Sequence, residues 1–369
     1  MSIFGKSGKS GKSGKSGKSG KSGKSAGVGK SDDTDLAGGE STTHLGVALA
    51  ATRDGVVGYW DTARLPPVQE VDTRTIDYLR PSTRAHLIDH ELLDDLRVVQ
   101  DGAGVARITV GTAEFRMVRP GYQIFESQLN YIKSYADLRE DRLPEIIEQM
   151  DDILSFFGAL TYLDDRREQK AIEFLNAAIR TAQHVHYMVK HFCHAIRPIN
   201  LAREAMPVIQ TPDHGTFPAG HACEAFAVAT VLHYLLVRGL TDKEAEDGNT
   251  SKDVMVALSA PGDHNHILFR LAHRIAENRI VAGVHFPVDC LAGAWLGLLV
   301  GRRVVAALDG QSFKFPAILD VGNKDFTLEN VAVLLDPTSQ LETVRLDSSK
   351  LLVAFLLGSP VPMEVPPGL

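Results

Sequence analysis

The sequence predicts a mainly α-helical protein: a helical bundle over roughly residues 122–310, with a small mixed N-terminal region before it and a disordered N-terminal tail. Three observations predict this. Apolar residues recur at spacings of three and four near 122–138, 143–161, 164–195, 219–238, 264–278 and 284–308, the signature of one buried helix face. Val105–Val118 alternates apolar and polar and ends at Pro120-Gly121, which reads as a hairpin or short strand pair. Gly5 to Ser25 is seven copies of Gly-Lys-Ser, a segment with nothing to bury.

The elements follow in order. Residues 1–40 form the tail and 41–121 the mixed region. Residues 122–310 form the helical domain and 311–369 a C-terminal cap or arm. Pro144 and Pro218 sit where helix starts tolerate proline, and Asp263 suits an N-cap. Beyond 310, Gly/Pro-rich ends and short apolar runs at Val331–Leu335 and Leu351–Leu357 suggest a small packing unit. A homodimer would suit a bundle that carries such an arm.

The 369 residues can bury a substantial core. Residues 1–30 hold eight Lys and no acid, which leaves 31 basic against 46 acidic residues in the body. An acidic body argues against a nucleic-acid partner. It leaves room for a small basic pocket, because local field differs from net charge. The repeated Gly-Lys-Ser is not a phosphate-binding P-loop: the position five residues before each Gly-Lys-Ser is not Gly, and no strand precedes it. Cys193, Cys223 and Cys290 are too few for a disulfide framework and read as small buried residues. The apolar stretch Cys290 to Gly301 stops at Arg302 and Arg303, short for a bilayer. No apolar segment follows the N-terminal lysines, as a signal peptide requires. The expectation is therefore no membrane span and a cytoplasmic location.

Most of the fourteen histidines lie between 184 and 285, in a window with three clusters. The first is Lys190-His-Phe-Cys-His-Ala-Ile-Arg197-Pro198. On a continuing helix, Lys190 and Arg197 are two turns apart and share a face; alone, this is a solvated basic face. The second is Phe217-Pro218-Ala219-Gly220-His221-Ala222, ahead of a strongly apolar helix. Gly220 lets an oxyanion approach bare N–H groups at a helix N-terminus, and His221 can exchange a proton there. The third is Asn278-Arg279-Ile-Val-Ala-Gly-Val-His285-Phe-Pro-Val-Asp289. Were a helix to run through 285–289, Asp289 would take the Nδ1 proton of His285 and free Nε2.

In order and spacing these clusters resemble the signature K-x6-R-P, P-S-G-H, S-R-x5-H-x3-D. That signature is shared by type 2 phosphatidic acid phosphatases, bacterial acid phosphatases and vanadium-dependent haloperoxidases: the PAP2/vanadium haloperoxidase superfamily. The resemblance covers about residues 190–289. It departs at Ala219 and Asn278, where the signature has Ser. Losing the first hydroxyl would weaken anion binding by about 1 kcal/mol. The resemblance implies that Lys190, Arg197, Arg279 and the Gly220 N–H hold the oxygens of a bound anion. His285 would bond phosphorus or vanadium, His221 would act as acid/base, and Asp289 would orient His285.

Two chemistries fit that cradle. As a haloperoxidase, the chain would bind vanadate, with Lys190 polarising peroxide, and would oxidise halide, bromide most readily, with hydrogen peroxide. As a phosphatase, His285 would attack a phosphoester to form a phosphohistidine. Ala222 after His221, His214 seven residues before it in the halide-side position, and the 56 residues between His221 and Asn278 favour the haloperoxidase, in its soluble bacterial branch. A non-catalytic anion-binding or assembly protein is the third reading. His264 and His266 form an H-x-H pair without a third ligand. His184 and His186 point to different faces, and His191 and His194 flank Lys190.

Overall fold

The computed structural model describes residues 43–56, 76–164, 167–335 and 340–357; the Gly-Lys-Ser repeats lie outside them. Helices α1 (Thr43–Val56) and α2 (Pro81–Leu93) come first. Strands β1 (Leu96–Gln100), β2 (Val105–Val110) and β3 (Ala113–Val118) then form an antiparallel meander. The alternation at 105–118 is the β2–β3 hairpin, with Ala106, Ile108, Val110, Phe115 and Met117 turned into the core, as period-two side chains demand.

Helices α3 (Tyr122–Tyr135), α4 (Arg139–Glu148), α5 (Leu154–Thr161) and α6 (Gln169–Cys193) follow. The expected segment 143–161 is two helices, because the chain turns through Met150–Asp152 and the Asp152 carboxylate accepts the N–H and hydroxyl of Ser155. Pro144 lies inside α4 rather than at its start, since the chain already coils through a 3-10 turn at Ala136–Leu138. The short α7 (Pro198–Leu201) leads through a long connection to α8 (Gly220–Val237), α9 (Asp242–Asp247), α10 (Val254–Ser259), α11 (His266–Val281) and α12 (Pro287–Asp309). Asn265, not Asp263, is the residue that caps α11; Asp263 accepts its N–H at 2.8 Å.

Beyond α12 lie β4 (Phe313–Pro316), β5 (Ile318–Leu319), α13 (Leu328–Val333), β6 (Leu341–Val344) and α14 (Lys350–Leu357). Strand β5 joins β3 in parallel, and β4 pairs with β6. Trp295 of α12 meets Phe115 and Phe315 edge-on, tying sheet to bundle.

The centre of the bundle is α8 against α12. Gly293, Gly297 and Gly301 repeat every four residues along the seam, and a methyl on Gly293 or Gly297 would collide with Ala219 O or Cys223 O. Small residues on one ridge let the two backbones close up. This contact brings the N-termini of α8 and α12 to the same end of the molecule, where the motif residues gather.

The membrane expectation is corrected here. Helix α12 starts three residues before Cys290 and runs on past Arg302 and Arg303. With 23 residues and a mean hydropathy of 1.5 it is long and apolar enough to cross a bilayer, as is α8 with 18 residues and 1.3. Both are mostly buried by the rest of the protein. The absence of a span from which a cytoplasmic location was read does not hold, and that location falls with it.

Candidate functional site

The three clusters reach one place by routes the sequence spacing did not show. Helix α6 ends at Cys193, with His194 left-handed (φ 46°) as its cap. Lys190 and Arg197 therefore do not share a helical face; Arg197 is the N-cap of α7, where Pro198 enforces the new start. Helix α11 likewise stops at Val281, and Gly283 (φ 78°) turns the chain. His285 sits in the connection to α12, while Asp289 is in the first turn of α12 and accepts the Phe286 N–H at 2.8 Å.

His285 and Asp289 still meet, with a third residue between them. Thr216 Oγ1 donates to Asp289 Oδ2 at 2.6 Å and lies 3.0 Å from His285 Nδ1, which is itself 3.3 Å from Asp289 Oδ2. A hydroxyl has one proton, so Thr216 spends it on the carboxylate and accepts from His285. His285 thus carries its proton on Nδ1, and the Nε2 lone pair faces Arg197 Nη1 at 3.2 Å. Burial holds the His285 imidazole well below its usual range, helped by the charges of Arg197 and Lys190. Burial also raises Asp289, against the hydrogen bonds from Thr216 and the Phe286 N–H.

The cations differ in how they are engaged. Arg197 donates from Nε to His214 O, from Nη1 to Val284 O and His285 Nε2, and from Nη2 towards His214 Nδ1 and Gly215 O. All five of its N–H groups have protein acceptors. Lys190 Nζ donates to Gly215 O and Thr216 O at 3.2 and 3.1 Å, and burial lowers its pKa. Arg279 is 1% exposed, with Nη2 donating to Ile146 O and Gln149 Oε1, while Nε and Nη1 have no partner. Three donors of a buried guanidinium stand idle, which is costly without a ligand.

Arg279 lines a small cavity of about 30 Å³ with Gly220, His221, His285, His214, Val284, Met150, Ile209, Gln210 and Pro212. That volume admits about two water-sized groups, the scale of a single small anion. Lys190, Arg197 and Asp289 stand behind its wall. His221 hydrogen-bonds Gln149 O through Nε2 at 2.9 Å, and burial keeps it neutral by lowering its pKa well below 6.5. Nε2 therefore carries the proton and Nδ1 the lone pair. Burial lowers His214 to about 4, and its Nε2 has no partner.

Ala219 is the N-cap of α8 and offers no side-chain oxygen; its N–H donates to Asp289 O at 2.8 Å. Asn278 faces away from the anion position: Nδ2 donates to Glu145 and Gln149 Oε1, and Oδ1 accepts from Arg142. It anchors the end of α4, whose Gln149 touches both His221 and Arg279. Thr216 and Gln149 were not legible as site residues: Thr216 lies in a loop without periodicity and acts through a hydroxyl, and Gln149 lies at the end of a helix and acts through its backbone carbonyl and side-chain amide oxygen. The remaining histidines stay outside. His266 Nδ1 is bound to Ala257 O, His191 and His194 do not line the cavity, and no cluster of three metal-ligating side chains occurs among the described residues.

Residues 172–312 match the PAP2 superfamily. Among solved structures, the chain is similar to a transmembrane PAP2-type phosphatidylglycerolphosphate phosphatase from Bacillus subtilis, at 20% identity over 50% of this chain and 82% of that one, with a TM-score of 0.28. It is also similar to a bacterial vanadium-dependent iodoperoxidase, at 22% identity over 40% of this chain and 35% of that one, again with a TM-score of 0.28. The chain thus spans about a third of the iodoperoxidase, and likenesses at this level do not speak to activity or location. No curated protein matches the sequence. The matched segment, residues 172–312, holds all three clusters, and over it the chain is similar to the PAP2 superfamily.

Proposed function

We propose that the chain is a vanadate-dependent, haloperoxidase-like enzyme that oxidises halide, most readily bromide, with hydrogen peroxide. The balanced step is bromide, peroxide and one proton giving hypobromous acid and water. The observation that carries this reading is the cavity of about 30 Å³ lined by His221, His285 and Arg279, whose Nε and Nη1 have no partner. So small a space suits vanadate, peroxide and halide, all compact reactants.

The donor set fits vanadate. Arg279 Nε and Nη1 and the Gly220 N–H would hold its oxygens, with Lys190 and Arg197 supplying charge from behind the wall, and His285 Nε2 would be the residue to bind it were Arg197 Nη1 to yield. When bound, vanadate supplies a Lewis acid that draws electron density from peroxide. His221, with Nε2–H committed to Gln149 O, accepts a proton at Nδ1 and returns it. Asp289 and Thr216 keep the His285 proton on Nδ1. His214, with an unpartnered Nε2 in the cavity wall, stands on the halide side.

A second reading is favoured by the apolar side chains at the same cavity, Met150, Ile209, Pro212 and Val284, which suit the organic part of a phosphoester. In that case His285 Nε2 attacks phosphorus, the ester oxygen leaves with a proton that His221 Nδ1 has first taken up from solvent, and water releases the phosphohistidine, its proton returning to His221 Nδ1. The test is direct: load the purified full chain with orthovanadate, add peroxide and bromide, and follow bromination of a phenol dye. Bromination that His285→Ala abolishes supports the first reading. Hydrolysis of p-nitrophenyl phosphate without bromination moves the assignment to the second, and neither activity leaves a non-catalytic anion binder.

A further inference from the structure

Directly beneath the cradle lies a buried acid–base pair that the roles above leave unused. His186 on α6 and Glu224 on α8 are both 0% exposed, and His186 Nε2 lies 3.1 Å from Glu224 Oε1. Gln183 also reaches Glu224, and His186 Nδ1 has no partner. The surrounding seam is apolar: Ala182, Val185 and Val189 from α6, Ala225 and Val228 from α8. Burying such a pair there is not a gain in stability, because well-packed apolar residues usually do as well or better. Location accounts for it instead. His186 is one helical turn before Lys190, and Glu224 is one turn after Gly220. The imidazole lies flat beneath Gly220: a methyl there would sit 3.0 Å from His186 Cε1 and 3.1 Å from Nε2. The ring is thus the floor on which the N-terminus of α8 rests. Glu224 fixes the ring from the far side.

We propose that His186 and Glu224 are positioning residues of the anion cradle, setting the height of the Gly220 N–H against Lys190 through the face of the His186 ring. This rests on the reading of the cradle as the anion site. A displacement of a few tenths of an ångström at Gly220 spoils the approach of its N–H to the anion while leaving the fold intact.

The test uses the full chain and inorganic phosphate as the probe, with affinity read by calorimetry and folding by urea unfolding. The double variant His186→Leu with Glu224→Leu replaces the pair with apolar bulk. It is expected to unfold at or above the wild-type midpoint, yet to bind phosphate about tenfold more weakly. Glu224→Gln keeps an acceptor for Nε2–H and is expected to bind within about twofold of wild type. Should the double variant not fold, Glu224→Asp serves: it keeps the acid but withdraws the acceptor by one methylene, and is expected to bind about fivefold more weakly. Wild-type affinity in a folded double variant, or in Glu224→Asp, overturns the proposal, as does a Glu224→Gln protein as weak as the double variant. Failure of the underlying reading looks different: the wild type itself binds no phosphate, and Arg279→Met changes nothing.

Discussion

Arg197 and Arg279 are two buried guanidinium groups beside the same cavity, and the protein uses them in opposite ways. Arg197 satisfies every N–H with protein: the 214–215 loop, Val284 O and His285. Arg279 holds only the end of α4 through Nη2 and leaves three N–H groups unmet. One builds the wall, and the other waits for an anion. Sequence spacing makes them equivalent cations; only the acceptors around each separate them.

Paired substitutions test that difference most strongly. Arg279→Met is expected to weaken phosphate or vanadate binding about a hundredfold, the loss of two charge-assisted hydrogen bonds. Its stability should stay within about 1 kcal/mol of wild type, because an unpaired buried charge is removed with the donors. Arg197→Met is expected to lose about 3 kcal/mol of stability, since the carbonyls of His214 and Val284 lose their donor in the interior while Gly215 O keeps that of Lys190. Calorimetric titration and urea unfolding of both variants measure the two effects. If Arg279→Met proves the unstable variant and Arg197→Met the weak binder, the assignment is reversed.

The same crowding of cations sets the response to acid. Burial holds His186, His221 and His285 well below 6.5. In the unfolded chain they take up protons near pH 6.5, and in the folded chain they do not. The stability they lend is present above that pH and lost as pH falls below it. Glu224 and Asp289, both raised by burial, work the other way, binding protons earlier in the fold. His214, which burial lowers to about 4, and His233, also lowered by burial, add to the three, so the imidazoles outnumber the two carboxyls and stability is expected to fall as pH drops below about 6. A urea midpoint that rises between pH 6 and pH 5 would show that the buried imidazoles are charged in the fold.

How legible was this site in the sequence? The fixed residues of the three clusters were, because spacing and residue type carry them: Lys190, Arg197, Gly220, His221, Arg279, His285 and Asp289 do gather at the meeting ends of α8 and α12. The mainly helical fold was legible for the same reason, through its period. What failed were inferences that needed continuous helices. Lys190 and Arg197 were placed on one face, and the helix stopped between them at a left-handed His194. The membrane expectation failed in the opposite sense, by ending an apolar stretch at Arg302 when the helix continued. Thr216 was invisible because its role depends on a loop folding back between two side chains 69 and 73 residues away.

Thr216 offers a smaller effect that bears on the wall rather than the anion. Thr216→Val keeps the shape but removes the proton given to Asp289 and the acceptor for His285 Nδ1. The direct Nδ1–Asp289 contact at 3.3 Å remains to choose the tautomer. Turnover is therefore expected to fall about fivefold with anion affinity changed little, since the hydroxyl touches no ligand and its net worth is near 1 kcal/mol. Steady-state kinetics separates the two, and an unchanged turnover would make Thr216 a packing residue.

The smallest effect concerns the hydroxyl this chain lacks. Ala219 is the N-cap of α8, fully buried, with its N–H on Asp289 O and its carbonyl against Gly293. A serine there has two outlets for its Oγ. It can accept from an idle N–H in the first turn of α8, as N-cap serines do. Or it can donate to the anion beside Gly220. Each is worth about 1 kcal/mol, one to the fold and the other to the complex. The cavity lies on the Gly220 side, and Arg279 leaves an anion there short of donors on the α8 flank. Ala219→Ser is accordingly expected to tighten phosphate or vanadate binding about fivefold, with the unfolding midpoint unmoved. A midpoint that rises while affinity stays put would mean that the hydroxyl turned to the helix. The anion would then be held chiefly from the Arg279 side, which is the asymmetry between the two arginines in its strongest form.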